Sequence, residues 1–177
     1  MSRIGTKEIN IEKADVKVEG DQLIVKGKLG TINLKVFPEI NIIIEGSTLR
    51  VSRKGNDKKS KELHGLSRAL IYNAVFGVTE GYVRKLMLKG IGYRVQKKGK
   101  NLEFSLGYSH PVLYKAANDI EFDVEGQEIF LVKSIHKELV GQVCAEIKSL
   151  PKRDDYKGKG IFFENEVPKK KPGKSVK

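Results

Sequence analysis

The sequence predicts an α+β chain of two tandem duplicated domains, each a small antiparallel sheet packed against one helix, with a basic C-terminal tail. Two observations carry that expectation. The first is internal repetition, which constrains the architecture before any element is assigned. Ile44-Glu45-Gly46-Ser47-Thr48-Leu49-Arg50-Val51 shares its pattern with Val124-Glu125-Gly126-Gln127-Glu128-Ile129-Phe130-Leu131, offset by 80. Lys61-Glu62-Leu63-His64-Gly65 matches Lys137-Glu138-Leu139-Val140-Gly141 at an offset of 76, followed by Ala69 with Ala145 and Ile71 with Ile147. Gln22-Leu23-Ile24-Val25 lies opposite Asn101-Leu102-Glu103-Phe104 at an offset of 79. The second observation is a change of period within each copy, from strand-like alternation to helical spacing. The copies divide the chain into a first repeat over 1–81, a second over 82–160 and a tail over 161–177.

In the first repeat, strands are expected at Val16 to Val18, Leu23 to Lys26, Ile32 to Val36, Ile40 to Ile44 and Leu49 to Val51. Gly20-Asp21, Gly27-Lys28 with Gly30, and Glu45-Gly46 supply the turns between them. A helix follows, with Leu63, Leu66, Leu70, Ala74 and Val75 on its apolar face. In the second repeat the strands are Tyr93 to Gln96, Leu102 to Leu106, Val112 to Tyr114, Ile120 to Val124 and Ile129 to Val132. Its helix carries Ile135, Leu139, Val143, Ile147 and Leu150, with Ser134 available as N-cap and Pro151 just past the end. Duplication also predicts that Leu63 and Leu139 occupy matching core sites, and that Gly46 and Gly126 both sit in hairpin turns. Cys144 falls near the apolar face of the second helix and reads as a packed small hydrophobe.

Composition narrows the partner. The 177 residues carry 34 Lys+Arg against 22 Asp+Glu, a net charge of +12. So basic a protein usually meets a polyanion, because phosphate contacts release condensed counterions; membrane surfaces are anionic too, so charge alone does not choose the partner. The longest apolar runs are a few residues, as in Ile42-Ile43-Ile44, too short to span a membrane. No apolar segment follows Arg3, so no secretory signal is expected, and a single cysteine allows no internal disulfide. These features point to a reducing, cytoplasmic setting.

The charge is unevenly distributed. Residues 1–80 carry net +4, residues 81–100 net +7 with no acid, residues 101–147 net −5, and residues 148–177 net +6. Two basic blocks thus flank an acidic middle, a pattern suited to one binding face built from two segments. The first block contains Lys89, Gly90, Gly92, Tyr93 and Arg94. Its Gly-x-Gly pair lacks the third glycine of a dinucleotide fingerprint and reads as a β-bulge or tight turn. The second block runs Pro151-Lys152-Arg153-Asp154-Asp155-Tyr156-Lys157-Gly158-Lys159-Gly160-Ile161. Glycine lets a backbone approach closely, lysine pairs with phosphate, and tyrosine can stack or donate a hydrogen bond. Asp154 and Asp155, flanked by cations, are expected to order the loop or its lysines. Pro168-Lys169-Lys170-Lys171-Pro172-Gly173-Lys174 cannot bury a core and is expected to be disordered when free.

The sequence offers little for catalysis. His64, His110 and His136 form no metal-spaced cluster with Cys144, and His64 and His136 read as exposed or satisfied. Ser109 beside His110 does not lie in a Gly-x-Ser-x-Gly context, and no Ser or Thr follows Lys157 or Lys159 as a P-loop would need. No enzyme, cofactor, metal site or small-molecule substrate is expected.

The second block resembles the C-terminal segment of the bacterial L-six family of large-subunit ribosomal proteins. Gly77-Val78-Thr79-Glu80-Gly81, Gly90-Ile91-Gly92-Tyr93-Arg94, Leu106-Gly107-Tyr108-Ser109-His110-Pro111 and the opening Met1-Ser2-Arg3-Ile4-Gly5 are similar to that family's segments, in the same order. The resemblance covers essentially the whole chain. It implies a cytoplasmic structural constituent of the large ribosomal subunit that binds large-subunit, 23S-type rRNA. It further implies a position near the base of the lateral stalk and the factor-binding region, beside neighbouring ribosomal proteins of the stalk base. The second domain and tail would carry most of the RNA contact. Taken with the charge map, the candidate RNA-binding residues are Lys89, Tyr93, Arg94, Ser109, His110, Lys152, Arg153, Tyr156, Lys157, Lys159, Lys169, Lys170 and Lys171.

Overall fold

The computed structural model describes residues 3–173; Met1 and Ser2 of the opening motif and residues 174–177 of the tail lie outside them. The chain divides into two compact units, Met1–Gly81 and Tyr82–Lys177.

The first unit runs β1 (Ile9–Asn10), β2 (Asp15–Glu19), β3 (Gln22–Lys26), β4 (Thr31–Lys35), β5 (Ile40–Glu45), β6 (Thr48–Arg53) and α1 (Lys58–Thr79). The second runs β7 (Tyr82–Lys89), β8 (Arg94–Lys98), β9 (Asn101–Ser105), β10 (Val112–Tyr114), β11 (Glu121–Glu125), β12 (Ile129–Ser134), α2 (Lys137–Ser149) and β13 (Gly160–Phe163). All pairings are antiparallel. The strands of each unit are shared between two small sheets. The orders are β2-β3-β4 with β1-β6-β5 in the first unit, and β8-β9-β10 with β11-β12-β7-β13 in the second. The same plan therefore recurs, with β13 as an added edge strand in the second copy. Gly46 and Gly126 both take left-handed φ, 57° and 76°, in the hairpins β5–β6 and β11–β12.

The duplication extends to burial, though one residue away from the expected place. Leu63 and Leu139 are both only half-buried, and the residues after them, His64 and Val140, are buried. Ser67 with Val143 and Ile71 with Ile147 continue the buried face at the same offset. Leu66, expected on the core face of α1, is 47% exposed. Helical geometry gives the reason: Ser60, His64, Ser67, Ile71, Ala74 and Val78 form one continuous stripe. Hydrophobicity at Leu66 is a misleading guide here because three polar residues occupy inward positions. His64 is satisfied on one nitrogen, Nε2 lying 2.8 Å from the Val51 carbonyl oxygen. The N-terminus of α1 is capped by Asp57, which accepts from Ser60 N–H at 3.2 Å and from the Ser60 hydroxyl at 2.6 Å.

Ser134 is not the cap of α2. It ends β12, and its hydroxyl accepts from His136 N–H at 3.1 Å; His136 holds the cap position without a side-chain hydrogen bond. The core of the second unit gathers Leu86, Leu88, Leu102, Phe104, Phe122, Phe130, Val132 and Ile147, all at most 2% exposed. Phe104 and Phe130 meet edge-to-face, with ring centroids 5.4 Å apart. Cys144 is buried among these residues, and burial pushes its thiol up to about 11.

Two basic stretches are more ordered than composition implied. Residues 82–89 form β7, an interior strand between β12 and β13, because Leu86 and Leu88 alternate inward while Arg84, Lys85 and Lys89 are left at or near the surface. Residues 161–163, expected to open the tail, belong to β13, paired from Gly160↔Lys89 to Phe163↔Leu86. Ile161 and Phe162 are 3% and 1% exposed, so this segment brings apolar area to the domain. Among the described residues after it, Lys171 folds back onto the 151–160 loop. Lys171 N–H donates to the Asp155 carbonyl oxygen at 2.9 Å, and its ammonium lies 3.0 Å from the Asp155 carboxylate.

Candidate nucleic-acid interface

Three segments of the second unit converge at the ends of β7 and β13. The first is the turn from Lys89 to Arg94, closed by Tyr93 N–H donating to the Gly90 carbonyl oxygen at 3.1 Å. A Cβ on Gly90 would lie 3.1 Å from the Tyr93 ring, so glycine lets the half-buried tyrosine seat close beneath the turn. The second is the 106–111 loop. Gly107 lies beside the same ring, its Cβ position 3.8 Å from Tyr93, and the Tyr108 hydroxyl donates to the Leu150 carbonyl oxygen at 3.0 Å. That bond ties this loop to the start of the third segment, residues 151–160.

The third segment is a closed loop. Asp154 N–H donates to the Lys159 carbonyl oxygen at 3.0 Å, and Gly158 N–H donates back to the Asp154 carbonyl oxygen at 2.9 Å. The Asp154 carboxylate accepts from Tyr156 N–H at 2.9 Å. The backbone N–H groups of Tyr156 and Lys157 hold that carboxyl below its ordinary range. Asp155 pairs with Arg153 at 3.5 Å and with Lys171 at 3.0 Å. The two aspartates thus order the loop and its cations, as the sequence suggested. Gly158 takes φ 70° directly beneath Lys170, whose Cε would lie 2.7 Å from a Cβ placed there.

Under this surface lies Phe162. Its ring has Lys89 and Arg153 each 5.6 Å from the centroid, and a Cβ placed on Gly160 would lie 3.4 Å from its edge. Phe162 thereby brings together cations from the two basic blocks that are 64 residues apart in sequence. Neither Phe162 nor Tyr108 stands out in the sequence as a functional residue of its own, since each acts through partners distant along the chain.

Ion pairing separates the cations into two groups. Lys85 meets Glu125 at 3.0 Å and Glu164 at 3.5 Å; Lys97 meets Asp123 at 3.4 Å; Lys98 meets Glu103 at 3.3 Å. Three cations of the first basic block are therefore held by carboxylates, three of which (Glu103, Asp123 and Glu125) come from the acidic middle. Arg153 also reaches Glu166 at 3.9 Å, and Lys148 meets Glu166 at 2.6 Å. Among the described residues, Lys89, Arg94, Lys152, Lys157, Lys159, Lys169 and Lys170 make no ion pair. These seven are candidates from the sequence, and all but half-buried Lys159 are exposed; exposed Arg84, Lys100 and Lys115, which are not candidates, make no ion pair either. Ser109, His110 and Tyr156 are exposed on the loops just described. Of the candidates, Arg153 and Lys171 are already engaged with carboxylates and would have to exchange or share those partners with a ligand.

No cluster of His, Cys, Asp or Glu able to hold a metal occurs among the described residues, and no helix is long and apolar enough to cross a membrane. The arrangement can bind extended anions through several separated cations on hydrogen-bonded loops.

The comparison with known families follows the internal symmetry. The family described as Ribosomal protein L6 matches at residues 12–81 and again at 89–163, one segment on each repeat, the second ending with β13. The chain belongs to the ribosomal protein L6 family, structural components of the large ribosomal subunit that bind ribosomal RNA.

Proposed function

We propose that the chain binds large-subunit, 23S-type rRNA through the loop end of its second repeat, while the first repeat mainly scaffolds. The position we infer is near the base of the lateral stalk and the factor-binding region, with the neighbouring proteins of the stalk base as partners. The observation that carries the reading is the group of five cations without ion pairs on the 89–94 turn and the 151–160 loop, joined by Lys169 and Lys170 of the adjoining tail, on segments tied to one another by hydrogen bonds and by the Phe162 ring. Phosphate contacts from such residues position RNA without reading its sequence, whereas Tyr93, Ser109, His110 and Tyr156 offer stacking or hydrogen-bonding groups. In the first repeat, by contrast, Lys59 is held by Glu39 at 3.0 Å and Arg50 by Glu8 and Glu45, and the net charge of residues 1–80 is only +4.

The test uses the full-length chain and an rRNA fragment of the stalk-base region, with affinity measured across a salt series. Arg94→Ala, Lys157→Ala and Lys159→Ala should each weaken binding and lower the slope of log affinity against log salt by about 0.7. Lys54→Ala in the first repeat should change neither. Salt-insensitive binding, or a larger effect from Lys54→Ala than from Arg94→Ala, would place the interface elsewhere.

A further inference from the structure

The two repeats handle one connection differently, and the difference exposes a residue that electrostatics does not explain. In the first repeat, Ile11 N–H donates to the Ser47 carbonyl oxygen at 2.8 Å, just before β6 begins. In the second, Leu88 N–H donates to the Glu128 carbonyl oxygen at 2.7 Å, just before β12 begins. Ile11 and Leu88 are buried at 7% and 2% exposure and hold equivalent places in the fold. Asp15 and Arg94 then open the equivalent strands β2 and β8, each followed by a buried valine, Val16 or Val95. Between these anchors the first repeat has Glu12-Lys13-Ala14, while the second has Lys89-Gly90-Ile91-Gly92-Tyr93. The second connection is two residues longer, and its tip is Ile91, 95% exposed.

An exposed isoleucine alone means little. Here the first repeat spans the same gap with two exposed charged residues, the ordinary solution for a solvated turn. The longer turn is also built to hold its shape. Gly92 takes φ 79°, Gly90 packs on the Tyr93 ring, and Tyr93 N–H closes the turn on Gly90. Lys89 and Arg94, both without an ion pair, flank it. An aliphatic side chain on a pinned turn between two unpaired cations sits where a bound polyanion must approach.

We propose that Ile91 is buried against ribose and base surface of the bound RNA, as an apolar contact between the phosphate contacts of Lys89 and Arg94. Its burial adds affinity that does not depend on counterion release. The inference rests on the RNA-binding reading of this end of the domain, and the experiment separates the two.

Full-length wild type, Ile91→Ala, Ile91→Leu and Arg94→Ala are titrated against the rRNA fragment over a salt series. Ile91→Ala removes apolar area alone, so affinity should fall on the order of 10- to 50-fold at every salt concentration with the slope unchanged. Ile91→Leu should stay within about threefold of wild type, since it keeps nearly the same apolar area. Because the side chain is exposed in the free protein, thermal midpoints of these variants should coincide with wild type. If Ile91→Ala binds as tightly as wild type while Arg94→Ala is weakened, the apolar contact is refuted and the electrostatic interface stands. If neither variant is weakened, both fail. If Ile91→Ala keeps its RNA affinity but is incorporated poorly into subunits, Ile91 meets a protein and the inference is overturned.

Discussion

Replacing Phe162 with alanine should destabilise the second unit and unfasten the C-terminal strand from its sheet. The ring is 1% exposed, and its neighbours are Gly160, Lys89 and Arg153. Truncating a buried phenylalanine costs about 3–5 kcal/mol, through lost transfer energy and the cavity left behind. The two lost cation–ring contacts add only about 0.5–1 kcal/mol each at such exposed sites, so the cavity dominates. For a unit of this size the loss corresponds to a fall in melting temperature of roughly 15–30 °C. Against a total stability of about 5–15 kcal/mol, β13 should detach first, since it pairs with only one neighbour, β7. Hydrogen exchange gives the direct readout. Amides of Ile161 to Phe163 should lose protection, while Leu23 and Leu49 in the first unit keep theirs. A loss below about 1 kcal/mol, or full protection retained across 161–163, would refute the claim that Phe162 burial fastens this strand and the loop above it. RNA affinity should fall with the strand, because Lys89 and Arg153 share the same ring.

Two further outcomes follow from titrating groups. The Glu166 carboxyl is held below its ordinary range, chiefly by the Lys148 hydrogen bond and then by Phe163 N–H and Arg153, against the opposing effect of burial. A lowered folded value means that its stabilisation is complete above the ordinary carboxylate range, about 4.3, and lost as pH falls through the folded value. Glu166→Gln should therefore melt below wild type at pH 7, with the gap narrowing as pH falls below the ordinary carboxylate range; a gap independent of pH would show that the charge is not what matters. Cys144, buried and pushed up to about 11, should resist a thiol reagent at pH 8 until the protein is denatured, and rapid labelling of the native protein would contradict its packing.

What the sequence determined was whatever depends on local pattern. Alternation and glycine turns located most strands, and offsets of 76 to 80 revealed the duplication, because equivalent core positions need equivalent side chains. The charge blocks located the cationic surface, since excess charge survives only at solvent-facing positions. Three features were decided by tertiary structure. The inward stripe of α1 passes through Ser60, His64 and Ser67 rather than Leu66, because the facing strands fix the rotation of the helix and Val51 supplies a partner for His64. The nominal tail contributes β13, because the free edge of β7 accepts four more residues whose apolar side chains find cover on both faces of the sheet. Which cations remain available was also beyond linear reading. Lys85, Lys97 and Lys98 stand in the same basic block as Lys89 and Arg94, yet only the first three meet carboxylates. Those carboxylates, on Glu103, Asp123, Glu125 and Glu164, arrive mostly from other strands, and an ion pair forms where folding brings opposite charges within reach.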